Sequence, residues 1–192
     1  MSEQSESRLL ADGAGSYEQQ LRANRAEKDD FLAEHRQSPI PPEKRDEFDG
    51  LAYFDPGQSY RVEATVSTPA EPEPVEMETS DGRTVRYRRE FDLEFDLDGD
   101  SYTLHGYRQR PEDETIFVPF RDRTTGQQSY RDGRYMELEP EGELHDGDEI
   151  AIDFNLAYSP FCAYSETFSC PLPPEENWLE TTIEAGERTP PL

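Results

Sequence analysis

Lysine is almost missing from this chain. Lys28 and Lys44 are the only two, and the rest of its 19 basic residues are arginines. Against them stand 44 acidic residues, for a net charge of −25 at pH 7. Such an average field repels nucleic-acid phosphates and anionic membrane surfaces, so neither is expected as a partner. The carboxylates are spread along the chain rather than gathered in a tail. That spread, with so little lysine, fits adaptation to molar salt, where a Debye length of about 3 Å screens the self-repulsion. An acidic binder for cationic partners is the competing reading.

Long apolar runs are also missing. "MSEQSESRLLADGAGS" holds no apolar core of a signal peptide, and no stretch approaches the ~18 apolar residues of a membrane span. A soluble, cytoplasmic protein is expected. Cysteine and histidine are scarce: Cys162 and Cys170, then His35, His105 and His145. Structural zinc takes four ligands, commonly with cysteines two to four apart. These two cysteines lie eight apart with no histidine beside them, so no metal is expected. "DLDGD" (Asp96–Asp100) lacks the ligand set of a calcium loop and reads as a hairpin turn. In a reducing compartment the two thiols are expected to be free and packed, ahead of a disulfide or redox chemistry. No G-x-S-x-G elbow, phosphate-binding loop, dinucleotide glycine set or H-E-x-x-H helix occurs, and no cofactor is expected.

Aromatic residues are what the chain does have. Ten tyrosines and ten phenylalanines can fill a core where hydrophobic residues make up only 32% of the sequence. Residues 1–15 are polar and read as a disordered tail. Residues 16–57 read as a helix and a proline-rich linker. Ser16 and Gln19 stand at capping-box spacing, and "SPIPPEKRDEF" ends the helix because proline lacks an amide donor. From Gln58 to residue 192 the pattern changes to a period of two. In "TVRYRREFDLEFDLDGD", Val85, Tyr87, Phe91, Leu93, Phe95 and Leu97 read as one face, interrupted by Arg89. Asp81-Gly82 and Asp98-Gly99 are hairpin signals. Turns every 8–12 residues predict a mainly β fold: an antiparallel barrel or two-layer sandwich of about eight or nine strands, with one N-terminal helix.

One segment differs from the rest. "DFNLAYSPFCAYSETFSCPLPP", Asp153 to Pro174, holds both cysteines and no basic residue, and is dense in aromatics and proline. The loop 155–177 is long enough to serve as a lid or strap, stiffened by proline. Trp178 beside it is expected to anchor it. Polar residues gather at the neighbouring strand ends. They define the expected ligand-binding set: Asp122, Thr124, Tyr130, Arg134, Tyr135, Asp153, Asn155, Tyr158, Cys162, Tyr164 and Asn177. Arg134 is expected to pair with Asp122 or Asp153, as a structural tie or as the clamp for an anionic ligand group, with Asn155 orienting the ligand and tyrosines as walls.

"FVPFRDRTTGQQSYRDGRYMEL", "DFNLAYSPFCAYSETFSCPLPPEENWL" and "IEAGER" together resemble an uncharacterised family of bacterial and archaeal β-rich proteins, the domain-of-unknown-function family numbered 1684. The match is dense from Phe117 to Arg188 and looser back to "RDEFDGLAYFDPGQSYRVEA". The resemblance implies a β-rich fold, commonly with a longer N-terminal part than this one, and no activity. The family's "AYNP" is "AYSP" here, with Ser159 in place of Asn. Three functions are open: a small-molecule-binding module with a loop-covered polar pocket; a carboxylate-based hydrolase or isomerase using Asp122 or Asp153 with Arg134, and Cys162 as a weaker nucleophile; and a structural or partner-binding protein without a pocket.

Overall fold

The computed structural model describes residues 13–192; the expected disordered tail lies mostly outside them. The described chain divides into two compact units at Leu51 and Ala52.

The first unit carries helix α1, Gly13–Glu34. It begins before Ser16, which is therefore a residue within the helix and not its cap. The apolar stripe is broken, but Leu21 and Leu32 are buried. After Glu34 the chain is caught by side chains. Ser38 Oγ donates to the Leu32 carbonyl at 2.6 Å and accepts from the Ile40 amide at 3.2 Å. Proline then stops helical continuation. A 3-10 turn, Pro42–Glu47, follows, and the Asp29 carboxylate accepts from the Leu51 amide at 2.9 Å.

The second unit is an antiparallel sheet of seven strands curled into a half-barrel. The strands are β1 Arg61–Ser67, β2 Glu73–Glu78, β3 Thr84–Leu97, β4 Asp100–Arg108, β5 Ile116–Phe120, β6 Arg134–Leu138 and β7 Glu149–Asp153. The order is β6-β5-β4-β3-β1-β7. Strand β3 is long enough to pair β2 along its first half and β1 along its second, with β4 on its other edge. The two end strands, β6 and β7, do not pair with each other, so the curl stays open. The stretch from Leu179 to Ile183, whose apolar residues alternate as in a strand, is irregular chain.

Alternation puts Phe91, Leu93, Phe95, Leu104, Ile116, Val118, Phe120 and Met136 on the concave face. Phe154, Ala157, Leu179, Ile183 and Ala185 complete that core from the C-terminal third of the chain. The last segment thus does the work of a second layer, and the concave side is filled with apolar side chains.

The turns follow their chemistry. Asp98 and Gly99 both take positive φ, 53° and 87°, as a two-residue hairpin requires. At the other hairpin only Gly82 does, at 83°.

The single face expected along β3 is not what forms. A bulge lies between Arg89 and Phe91: Arg89 pairs with Tyr107 while Phe91 pairs with Gly106. The extra residue, Glu90, shifts the phase of the strand. Tyr87 and Arg89 therefore face away from Phe91 and Leu93, on the convex side with Tyr107.

Candidate functional site

The Asp153–Pro174 segment folds over the convex face, held there by backbone hydrogen bonds. Tyr135 and Tyr158 exchange two, at 2.8 and 3.0 Å, so the segment pairs with the free edge of β6. The Leu172 amide donates to the Glu78 carbonyl at 2.8 Å, and Ser80 exchanges bonds with Phe168 and Cys170 at the β2–β3 hairpin. Further on, the Leu179 amide donates to the Arg121 carbonyl at 2.7 Å. The strap is thus stitched to three strand ends.

Asn177 fastens its far end. Its side chain is fully buried where β4 and β5 share a single paired position, Tyr107 with Phe117. Its Oδ1 accepts from the His105 amide at 2.8 Å. Its Nδ2 donates to the His105 carbonyl at 3.0 Å and to the Pro119 carbonyl at 2.8 Å. One amide group stands in for the missing ladder bonds. Asn155 does the same at the near end, accepting from the Gly57 amide at 3.0 Å and donating to the Gly57 carbonyl at 2.9 Å. Trp178 braces the strap from outside: it is half exposed, donates to the Pro173 carbonyl at 3.0 Å and lies under the Arg121 guanidinium at 4.8 Å.

Arg134 and Asp122 form a separate, closed network. Both side chains are fully enclosed, 3.3 Å apart. Arg134 Nη1 donates to the carbonyls of Ala185 and Glu187, and Nη2 to Ile183 at 2.9 Å. Phe54 and Phe120 lie against the guanidinium. Asp122 accepts from the Ile183 amide at 2.7 Å and from the Thr124 amide and hydroxyl. Burial pulls the Arg134 pKa down, and the Asp122 charge opposes it. The pair ties the C-terminal segment into the core, and Arg134 presents no surface to a ligand. Asp153 meets Arg61 at 3.7 Å and accepts from Asn155. The two aspartates offered as alternative bases each face an arginine of their own.

Cys162 and Cys170 are both free thiols. The Cys162 amide donates to Cys170 Sγ at 3.3 Å, and the Tyr130 hydroxyl lies 3.7 Å from Cys162 Sγ. Hydrogen bonding from the Cys170 thiol lowers the Cys162 pKa to about 7, against the effect of burial and with help from Tyr130. Sharing that proton pushes Cys170 up. Iodoacetamide should therefore modify Cys162 with a rate midpoint near pH 7, roughly 1.5 units below an ordinary thiol. Buried Cys170 should stay unmodified. Mass spectrometry of alkylated peptides across pH 6–9 checks this, and Tyr130→Phe should raise the midpoint.

The cavity of interest lies between the strap and the convex face, with a volume of about 290 Å³. Strands β3, β4, β5 and β6 contribute Tyr87, Tyr107, Phe117, Tyr135 and Glu137, and the strap contributes Tyr158 and Pro171. The rings run in one chain of contacts. Tyr107 meets Tyr87 edge-on with centroids at 6.4 Å, and Tyr87 stacks on Phe117 at 5.3 Å. Phe117 meets Tyr135 at 4.7 Å, and Tyr135 meets Tyr158 at 5.9 Å. Tyr107 donates to Glu176, and Tyr135 to the Pro171 carbonyl, which fixes both rings. Burial, then the charges of Asp113 and Glu137, push the Tyr87 phenol up to about 12, so it stays neutral.

Of the residues expected from sequence, the cavity brings together Tyr135 and Tyr158. Asp122, Thr124 and Arg134 sit in the closed network, and Asn155 and Asn177 clamp backbone. Cys162, within the strap, meets Tyr130 of the β5–β6 connection, while Tyr164 is buried. Tyr87, Tyr107, Phe117 and Glu137 were missed. Phe117 and Glu137 were findable, as the residues that alternate with Ile116, Val118, Met136 and Leu138; Tyr87 was hidden by the bulge. Among the described residues no group of three or more ligating side chains is placed to hold a metal ion, and no helix is long and apolar enough to cross a membrane.

A family model described as a protein of unknown function, DUF1684, matches residues 46–188. The chain belongs to that family. The match takes in all seven strands, the strap and every residue of the cavity. Among solved structures the chain is similar to an uncharacterized protein of Haloarcula marismortui determined by solution NMR. The two are 69% identical with a TM-score of 0.72, over 91% of this chain and 95% of that one. No curated protein matches the chain significantly. Within this DUF1684 member, Ser159 occupies a buried position where its amide donates to the Glu187 carboxylate at 2.7 Å, while its hydroxyl has no partner among the described residues.

Proposed function

We propose that this protein is a small-molecule-binding module whose ligand occupies the tyrosine-lined cavity under the strap. The observation that carries the reading is a cavity of about 290 Å³ walled by aromatic rings whose hydroxyls are tied back to the protein. Aromatic walls fixed in advance, with polar groups such as Gln109, Asp113, Thr115 and Glu137 beside them, suit a ligand site, because little ordering entropy remains to be lost on binding. A hollow barrel interior is not needed for this reading, and the filled concave face agrees with a site on the other side.

A thermal-shift screen of small metabolites against the full chain tests it. A ligand at 100 times its Kd should add about 2.7 kcal/mol of stability, a shift of several degrees. Thr115→Trp, at the exposed rim of the cavity, should block the mouth and abolish the shift while leaving the unliganded melting temperature nearly unchanged. A screen without hits would favour a structural or partner-binding role.

The charge supports a second part of the reading, that the protein works in concentrated salt. With a net charge of −25, self-repulsion at low ionic strength should destabilise the fold. The melting temperature should rise by 10 °C or more, roughly, between about 0.2 M and 2 M KCl, as the Debye length falls toward ~3 Å. A flat or falling curve would remove the salt-adaptation argument.

A further inference from the structure

We propose that the ligand of this cavity is an organic cation, a methylated ammonium group seated against Tyr87, Phe117 and Tyr158 with Glu137 at its edge. This rests on the binding reading above and adds the chemical class of the ligand.

The walls come first. Tyr107 and Tyr135 are buried behind the cavity, whereas Tyr87, Phe117 and Tyr158 are only half-buried and keep ring surface open to it. The face of an aromatic ring carries partial negative charge, and a cation whose charge is spread over methyl groups gains from both that field and apolar contact. Phenol hydroxyls that stay protonated keep the rings neutral.

Aromatic walls alone would also take a neutral ring. The charges around them decide for a cation. Most carboxylates nearby are already paired: Asp113 with Arg110 at 3.1 Å, Glu90 with Arg88 and Arg108, and Glu176 with Arg89 at 2.8 Å. Glu137 is different. It faces the cavity from β6, hydrogen-bonds the Tyr158 hydroxyl, and takes part in no salt bridge among the described residues. Arg108 also lines the cavity, but its guanidinium is engaged by other groups, among them the carbonyls of Glu114 and Thr115. It lies over the Phe91 ring at 5.0 Å and donates to Glu90 at 3.3 Å. An anionic ligand would find no available cation and one opposing carboxylate. A bare metal ion would find ring faces where it needs several oxygen donors. The volume suits a compact headgroup.

The test is an NMR titration of the labelled full chain with choline and with its uncharged isostere 3,3-dimethyl-1-butanol. Choline should bind at least about tenfold more tightly than the isostere, because only it gains the cation–ring and cation–carboxylate attraction. The perturbed signals should be those of Tyr87, Phe117 and Tyr158. Glu137→Gln should weaken choline several-fold and leave the isostere unchanged. Tyr158→Phe should keep most of the affinity and Tyr158→Leu lose it.

Equal affinity for the two compounds would overturn the cation assignment and leave the binding site standing. So would a silent choline titration beside a neutral or anionic screen hit that Thr115→Trp blocks. No perturbation of the cavity by choline or by any screened compound would overturn both.

Discussion

Arg134→Met should cost about 3–5 kcal/mol, a large part of the stability of a single domain. The substitution keeps much of the volume and removes the charge. It leaves the Asp122 carboxyl without its arginine in an enclosed site, and it leaves the carbonyls of Ile183, Ala185 and Glu187 without their donor. Each buried acceptor left unpaired costs about 1–3 kcal/mol. Arg134→Lys should recover part of the loss, because an ammonium keeps the charge but cannot spread its donors over the same fork of acceptors. Combining Arg134→Met with Asp122→Asn should cost less than the two single changes added together, since each removes the charge the other strands. Chemical denaturation in high salt measures all four variants. A loss below about 1 kcal/mol for Arg134→Met would mean that Leu179, Ile183 and Ala185 hold the C-terminal segment by apolar packing alone.

Asn177→Ala should cost about 2–4 kcal/mol. Three backbone groups, the His105 amide, the His105 carbonyl and the Pro119 carbonyl, lose their partner at a site with no solvent access. Asn177→Asp should be no better. It keeps the acceptor for the His105 amide but turns a carboxylate toward two carbonyls, where the amide nitrogen had donated. Hydrogen exchange separates this from a general loss of stability. The His105 amide should lose more protection in Asn177→Ala than the amides of β1 and β7, which lie across the sheet. Equal loss everywhere would show that Asn177 contributes to global packing and not to the β4–β5 seam.

Much of the fold could be read from the pattern of residues. Period two in β4, β5 and β6 marks which side chains enter the core, because a strand must bury one face and wet the other. Asp98-Gly99 announces its hairpin, since few other pairs tolerate two positive φ values. The strap was visible as a long segment without periodicity, rich in proline and aromatics. The bulge after Arg89 was less legible. Arg89 marked a disturbance in the pattern, but an inserted residue and a bend look alike in one dimension. The choice between them is made by which neighbour offers matching hydrogen bonds. Tyr87 was placed in the core stripe for that reason and belongs to the cavity.

The polar residues show the same limit from the other side. Asp122, Arg134, Asn155 and Asn177 stood out as polar groups at strand ends, a position shared by ligand sites and by structural ties. Their role depends on whether backbone amides and carbonyls arrive to satisfy them. Those groups come from Gly57, from His105 and Pro119, and from the segment between Ile183 and Glu187, mostly distant in sequence.

The amino-acid order by itself determined the β class, the positions of the turns, the family and the acidic surface, because each follows from local conformational preference or from composition. Only the tertiary structure decided which polar groups are spent on the backbone and which, like Glu137, stand beside aromatic rings with a tyrosine hydroxyl as partner and no salt bridge among the described residues, because hydrogen-bond satisfaction is a property of groups that meet across the fold.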